Sequence, residues 1–437
     1  MKILHIIASY KPAYIYGGPI MSVAKLCQEL VKSAKWKVES KTQIARSKER
    51  EEEILNQPVS NSIREVQNGR YNFGIEGTFN TKLLTLNSIK VYTTLANGAE
   101  ELPYPSGTVQ SIDGVEVHYF KRWTKDHSHF SPALFWKLWK TAKEFDIIHI
   151  HAWWNLVSIF SCLIAVMKGK KIVFTPRGTL STYSFNNRTS AAKKLFHQYI
   201  GKPLLKKCHI HTTSKREEMD MQILLNPKGI TTISNLVELP WEQVDTLLQR
   251  HQDVNGSLKI IFLSRIEQKK GLELLFIVLS KTVYPFHLQI AGTGEADYIS
   301  ELKQLSNQLG IAQHLSWLGM LNKEEKFLQL AANDLFVLPS YDENFANVVI
   351  ESLFSGTPVL ITENVGLSDY VLEKDLGWVC ERAEEDLLEK LNKAYNKISR
   401  QKIDSKRIQD TVIEDFKEDK LVERYWEMYR EVLSGKL

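Results

Sequence analysis

Two glutamates, Glu343 and Glu351, stand eight positions apart in the stretch Asp342–Pro358, which reads D-E-N-F-A-N-V-V-I-E-S-L-F-S-G-T-P. The first falls in a loop after the apolar run Leu335–Pro339. The second falls one to two turns into the helix expected next. That helix should stop where Gly356 takes a left-handed cap, with Pro358 just beyond. A carboxylate at a helix mouth and another deeper on the same helix suit a ligand that is polar along its length. A sugar nucleotide, with sugar hydroxyls, diphosphate and ribose hydroxyls in line, is such a ligand. Charged helices also produce this spacing by chance, so the flanks matter: their apolar residues would bury this helix face.

The longer segment Pro339–Leu360, P-S-Y-D-E-N-F-A-N-V-V-I-E-S-L-F-S-G-T-P-V-L, resembles the E-x7-E signature of retaining glycosyltransferases of family 4, which have the GT-B fold. By that resemblance Glu343 binds donor-sugar hydroxyls and Glu351 the ribose. Ser264–Gly271, S-R-I-E-Q-K-K-G, resembles the R-x4-K-G motif that grips the donor diphosphate. The leaving group gains negative charge as its bond to the sugar breaks. Arg265 can fork to phosphate oxygens and Lys270 can add a point charge. An ordinary exposed basic turn has the same composition. Gly292 and Gly294, in Ala291–Glu295, either let the backbone pass close to a ligand or make the turn. Trp317–Met320 resembles the segment whose backbone reads the nucleobase, most often uracil in this family. Phe345-Ala346-Asn347 stands where the family usually has Phe-Gly. Its amides open a helix and are expected to bond sugar hydroxyls or phosphate, and the alanine trims space near the sugar.

The first half of the chain carries matching loops. Tyr16–Pro19, with Gly17 and Gly18, resembles the loop that closes over the reacting sugar and diphosphate, and also fits a plain turn before a helix. His149 and His151, in H-I-H-A-W-W, follow an apolar run and point the same way along a strand. By resemblance His151 faces the donor sugar and the acceptor, with His149 on the acceptor side; a core histidine is the competing reading. Zinc is not expected, since no carboxylate or third ligand stands at a suitable spacing. Arg177, in T-P-R-G-T-L-S, either meets an acceptor phosphate or fixes its own loop through backbone carbonyls. Asn235 matches the family's asparagine before the linker and is expected to be structural.

The elements that must position these residues alternate between strand and helix, which argues for parallel sheets covered on both faces. Strands are expected at Lys2–Ala8, Lys90–Thr94, Val115–Tyr119, Ile147–Ile150, Ile172–Thr175, Ile210–Thr213 and Ile230–Ser234. A second set follows at Lys259–Leu263, His287–Ala291, Leu315–Leu318, Leu335–Leu338 and Pro358–Ile361. Each chemical motif falls just after a strand, where ligands of doubly wound sheets bind. The implied architecture is α/β: two Rossmann-like domains of a GT-B protein, 1–238 for the acceptor and 258–416 for the nucleotide sugar. Residues 239–257 form a linker. The amphipathic segment 417–437 should be a helix, and the resemblance implies that it crosses back onto the first domain. About fifty residues, 37–89, replace a short turn of the family; they read as a surface insertion with a short helix near Lys48–Leu55.

At 437 residues the chain suits two domains, and its net charge of +5 gives no footprint for nucleic acid. Its N-terminus enters a strand without a signal peptide, and no apolar run is long enough to span a membrane. The four cysteines have no metal or redox spacing and read as reduced core residues of a cytoplasmic protein. The segment Ser131–Phe145 mixes Trp136 and Trp139 with Lys137, Lys140 and Lys143, which suits either a membrane surface or a helix packed on its own domain. The resemblance thus implies a retaining glycosyltransferase without metal or other cofactor, building surface polysaccharide or glycolipid. Its partners would be a nucleotide-diphosphate sugar, with uridine the base that family habit implies, and a glycan or lipid-linked acceptor. A nucleotide-sugar epimerase of the same fold, or an inactive nucleotide-sugar-binding subunit, would share these features.

Overall fold

The computed structural model describes residues 1–35, 87–187, 191–248, 256–400 and 403–435. Nearly all of the expected insertion, including its short helix near Lys48–Leu55, lies outside the described residues, as do linker residues 249–255.

Sixteen strands occur among the described residues. In the first half they are β1 Lys2–Ile6, β2 Ser88–Thr94, β3 Ala96–Asn97, β4 Glu100–Glu101, β5 Thr108–Ile112, β6 Val115–Phe120, β7 Ile147–His151, β8 Lys171–Thr175, β9 His209–Thr212 and β10 Ile230–Thr232. In the second half they are β11 Leu258–Leu263, β12 Phe286–Ala291, β13 Leu315–Gly319, β14 Leu335–Leu338, β15 Val359–Thr362 and β16 Gly377–Cys380. Fourteen of them form one large sheet per domain, ordered β10-β9-β8-β7-β1-β2-β6-β5 and β13-β12-β11-β14-β15-β16, and β3 pairs with β4 in a separate two-stranded sheet. Strands such as β7, I-I-H-I-H, are buried at every position because helices cover both faces. The first sheet departs from the wholly parallel arrangement that the alternation implies: β5 pairs antiparallel with β6 at its edge. The turn between them is Asp113-Gly114, both at positive φ, which is the backbone a two-residue hairpin needs.

Each sheet reverses its winding at one place, between β1 and β7 in the first domain and between β11 and β14 in the second. Crevices open at such points, beyond the carboxyl ends of the strands. The Gly17–Gly18 loop and the His151 loop belong to the first crevice. The Arg265 and Glu343 loops belong to the second.

Two buried clusters hold the molecule together. One lies under the outer helices of the first domain, where Leu134, Leu138, Val157 and Leu205 meet Ile6, Ile150 and Phe174. The other runs without a break from Ile3, Val23 and Leu26 through Leu236, Leu239 and Leu247 into the second domain. The helix Glu418–Ser434 completes it and crosses back onto the first domain. It buries Leu421, Tyr425, Trp426 and Tyr429. Its indole Trp426 Nε1 donates to Ser33 Oγ at 3.3 Å and Arg424 Nη2 to the Thr232 carbonyl at 2.7 Å. Near its start, Glu418 accepts from Trp241 Nε1 at 3.2 Å and pairs with Lys25 at 2.6 Å.

Tyr429 also places its hydroxyl 2.8 Å from Nδ1 of the buried His149. Tyr429→Phe keeps the ring and strands that nitrogen, so unfolding free energy should drop by about 1–3 kcal/mol. Urea denaturation checks this; an unchanged midpoint would show that the bond contributes nothing.

Candidate active site

The second domain brings Arg265, Lys270 and Glu343 to its crevice. Arg265 leaves β11 with its side chain 64% exposed, 3.4 Å from Glu267 Oε1. Lys270 ends a one-turn 3-10 helix and is buried, with Nζ donating to Glu343 Oε1. The neighbouring Lys269 lies 3.4 Å from Asp342 Oδ2. The basic turn is therefore not a solvated one. Half of it is clamped against the acidic loop, and Arg265 is left open for an anion. The glycine of the K-G pair is required by packing: a Cβ on Gly271, at φ 73°, would meet the Pro339 carbonyl oxygen at 2.2 Å. Tyr341 N donates to the Lys269 carbonyl at 2.8 Å, locking the two loops together.

Gly292 serves the same construction. At φ 131° its Cβ would come within 1.8 Å of the Ser264 carbonyl oxygen, and its N–H donates to the Gly319 carbonyl at 2.7 Å. It holds the backbone that carries Arg265, a packing role that accounts for the glycine without a donor contact.

The helix after Glu343, Asn347–Phe354, starts and stops as its sequence implies, with Gly356 left-handed at φ 75°. Its N-cap is Ala346, at φ 65° and ψ 76°. An L-residue there costs roughly 1–2 kcal/mol that glycine would avoid. The donor contacts expected of Phe345 and Asn347 are those of backbone amides at this helix start, and their side chains have other partners. The Phe345 ring is core, 6.3 Å from Phe416. Asn347 bridges the domains, with Nδ2 donating to Ser22 Oγ at 3.1 Å and Oδ1 accepting from Asn235 Nδ2 at 3.2 Å. Glu351 is nearly buried and pairs with Lys326 at 2.7 Å, so a ribose would have to displace or share that ammonium.

The two domains meet around the Glu343 loop through contacts that no local sequence signal announces. Asp342 Oδ2 accepts from Ser181 Oγ at 3.2 Å. Asn344 Nδ2 donates to Thr213 Oγ1 at 2.8 Å, and Ser214 Oγ donates to the Asn344 carbonyl at 3.0 Å. The loop bearing Glu343 is thus gripped on both sides by the first domain.

On the first domain, Gly17 sits at φ 70° and Gly18 opens the helix covering residues 18–35. Nothing lies within 4 Å of a Cβ built on either, so both face open space, as a loop closing over a ligand requires. Arg177 overturns one of its two readings. It is buried, with Nη1 donating to Asn235 Oδ1, and is not poised for an acceptor phosphate. It ties its loop to the domain junction through the oxygen of a side-chain amide, not through backbone carbonyls. The adjacent Glu217 accepts from Gly178 N and Thr213 N, each at 2.8 Å; its burial raises the carboxyl's affinity for a proton.

His149 and His151 are also corrected. Both are fully buried, so in this closed arrangement neither presents a ring to a sugar or an acceptor. His5 of β1 pairs in register with His149 of β7. His5 Nδ1 lies 3.0 Å from His151 Nε2. His149 Nε2 lies 2.7 Å from Thr175 Oγ1, which lies 2.7 Å from His211 Nδ1. Burial, then the Arg177 charge, holds His5 down to about 3 and His151 well below the usual imidazole range. His149 and His211 are lowered for the same first reason, burial. The third imidazole that strand spacing could not reveal comes from His5: ring nitrogens of His5, His149 and His151 lie within 4.8 Å of one another. Arg177, whose charge disfavours protonation of these rings, would equally disfavour a metal cation among them.

Two family models match the chain: "Glycosyltransferase Family 4" over residues 88–240 and "Glycosyl transferases group 1" over residues 244–409. An uncharacterized glycosyltransferase of Methanocaldococcus jannaschii is 24% identical over 298 residues, 62% of this chain and 73% of that one. The N-acetyl-alpha-D-glucosaminyl L-malate synthase of Bacillus anthracis is 24% identical over 213 residues, 47% of this chain and 55% of that one. Among solved structures, Anabaena HepE in complex with UDP superposes with a TM-score of 0.65 at 16% identity, covering 99% of this chain and 100% of that one. The shared architecture is GT-B.

Two expectations follow from this geometry. The buried histidines stay neutral when folded but protonate when unfolded below about 6.5. Their contribution to stability is complete above that pH and is lost as pH falls towards the folded value of His5, about 3. The urea midpoint should therefore fall between pH 7 and pH 5, and less steeply in His5→Gln; equal slopes would refute the neutral cluster. Ala346→Gly should raise unfolding free energy by about 1 kcal/mol by removing the left-handed penalty. A lower thermal midpoint in that variant would show that Ala346 is not strained.

Proposed function

We propose that this chain, which belongs to the group 1 glycosyltransferases of family 4, moves a hexosyl group from a nucleoside-diphosphate sugar to a hydroxyl of a glycan or lipid-linked acceptor, with retention of configuration. The observation that carries the reading is the open Arg265 guanidinium beside the clamped Lys270–Glu343 pair, at the winding reversal of the second sheet. Arg265 takes the diphosphate in a fork. Lys270 adds charge to the phosphate that leaves. Glu343, a positioner rather than a nucleophile, accepts from donor-sugar hydroxyls. Gly17 and Gly18 bring the first domain's backbone over the sugar from the opposite side.

In the reaction the bond between the anomeric carbon and the phosphate oxygen breaks. The acceptor oxygen bonds that carbon on the same face, and its proton passes to the leaving phosphate. Basic side chains at the diphosphate lower the barrier because charge develops there in a site sheltered from water. UDP is the favoured carrier, in keeping with the UDP complex of the Anabaena neighbour.

Calorimetric titration of the protein with UDP, GDP, ADP and CMP tests this. UDP should bind most tightly, and Arg265→Ala should weaken it by about tenfold or more, as loss of a charged fork implies. Transfer should be abolished in the same variant while its thermal midpoint stays put. Unchanged turnover in folded Arg265→Ala would sink the assignment.

A further inference from the structure

Past the last residue of β7 the chain turns sharply, and two residues there take a backbone that side chains rarely adopt: Ala152 at φ 63° and Trp154 at φ 53°. A bulky indole at positive φ is strained, and such strain persists where the surroundings enforce it, most often at functional sites. Ala152 N donates to the Thr175 carbonyl at 2.8 Å and Trp153 N to Thr179 Oγ1 at 2.9 Å, which holds the turn. The half-buried Trp154 ring then stands beside two others, with ring centres 6.3 Å from Phe185 and 6.1 Å from His197. Phe185 and His197 are themselves 5.1 Å apart. The cluster borders the cleft. Phe185 N donates to the Ser181 carbonyl at 2.9 Å, one helical turn from the residue whose hydroxyl meets Asp342.

His197 is the anomaly of this cluster. It is 4% exposed, and among the described residues neither of its ring nitrogens has a hydrogen-bond partner. Buried polar groups are nearly always paired, and the buried His5, His149, His151 and His211 each have at least one partner. His197 also opens a single wide turn of π-helix, His197–Gly201, a form that is rare and concentrates at functional sites. Gly201 closes that turn against the imidazole: a Cβ there would stand 3.2 Å from Nδ1. Burial, then the Lys202 charge, lowers the imidazole's affinity for a proton. The neutral ring offers one N–H and one lone pair.

Aromatic faces around a polar group suit a ligand that has both an apolar face and hydroxyls. A pyranose carries C–H groups on its faces and hydroxyls around its rim. An acyl chain would leave the imidazole unpaired. A cation is disfavoured, because residues 182–207 include lysines and an arginine but no acid. Asp220, which reaches this segment, accepts from Thr182 N at 3.2 Å. Lys193 Nζ lies 5.7 Å from the centre of the Trp154 ring, where it can donate to hydroxyls at the rim. We propose that Trp154, Phe185 and His197 form an acceptor subsite for a pyranose ring of a glycan, which stacks on the Trp154 indole and bonds a hydroxyl to the His197 imidazole. The half-buried Phe185 ring, which lies against His197, moves aside to admit it. The subsite rests on the transfer reading for its place in the reaction, and it narrows the acceptor to one that presents a sugar.

Saturation-transfer NMR on the full chain with excess UDP decides it, using the methyl glycosides of β-glucose, β-galactose and α-mannose as probes. At least one glycoside should receive saturation from the protein. His197→Leu should raise its apparent Kd by about fivefold or more, as loss of a neutral hydrogen bond implies. UDP affinity should stay the same in that variant, and its thermal midpoint should not fall, because the substitution strands no partner. Trp154→Gly suits the positive φ of its position, so it should stay folded and lose the signal. Wild type that saturates none of the three glycosides, or either variant binding them as wild type does, overturns the proposal. Glycoside binding in a chain that takes no UDP would leave the sugar subsite standing and remove the transferase reading instead.

Discussion

The Lys270–Glu343 pair is the constraint from which the second domain's half of the cleft is built. Both groups are largely withdrawn from water, and an ionised group so placed is costly unless its partner is in hand. The pair therefore fixes the loop after β14 against the turn after β11. Gly271 is the consequence: the two loops approach so closely that a Cβ there would strike the Pro339 carbonyl oxygen. With its neighbours locked, Arg265 is the cation of the turn that stays open to the crevice, and its exposure is what makes an anionic ligand the natural occupant. A buried ion pair is weak evidence of stability. Its use here is to set the direction in which two carboxylates and a guanidinium point.

The histidine network does the corresponding work in the first domain. Polar rings inside a sheet need partners, and those partners come from four strands, β1, β7, β8 and β9, and the returning C-terminal helix. Thr175 joins His149 to His211, and Tyr429 caps His149 from the other side. Arg177 adds a buried charge nearby and reaches Asn235, which in turn reaches Asn347 of the second domain. A chain of three polar side chains thus runs from Arg177, whose charge acts on the imidazoles, to the start of the helix behind Glu343. These residues position the loop; none needs to touch substrate to affect where Glu343 stands.

Much of the architecture was legible because its signals are local. Apolar runs marked most strands, and Gly356 with Pro358 marked the end of the helix after Glu343. Edge strand β5 is legible from Asp113-Gly114 between Ile112 and Val115, a strong hairpin signal, and not from the alternation of strand and helix. Strand β16 is short and only half-buried, and its run Gly377–Cys380 is too brief to declare itself. The second-domain loops were readable as motifs, and Lys270 and Glu343 do come together. His151, His149 and Arg177 were readable as residues but not as environments. Burial at a strand end depends on what the other strands bring, and His5 enters from 144 positions before His149 through sheet register. The grips on Asn344 and Asn347 come from the other domain and leave no trace in nearby sequence.

The way the two domains are joined separates what must hold from what must yield. Along the hinge the contact is apolar: Leu236, Val237, Leu239 and Leu247 belong to one cluster with Trp426 and Tyr429. Across the mouth it is made of hydroxyls, side-chain amides and a carboxylate, at Ser181, Thr213, Ser214, Asp342, Asn344 and Asn347. Separating apolar surfaces costs about 25 cal/mol for each Å² exposed, and water returns nothing for them. Separating hydrogen-bonded pairs costs little net, because water re-forms the bonds on both sides. A cleft that works as proposed, admitting a nucleotide sugar and releasing a nucleotide, can open at such an edge while the apolar contact stays intact. The same edge, when closed, returns the Glu343 loop to one geometry, because hydrogen bonds are directional where apolar contacts are not. Polar residues at the mouth therefore reconcile reversible opening with accurate placement of Glu343.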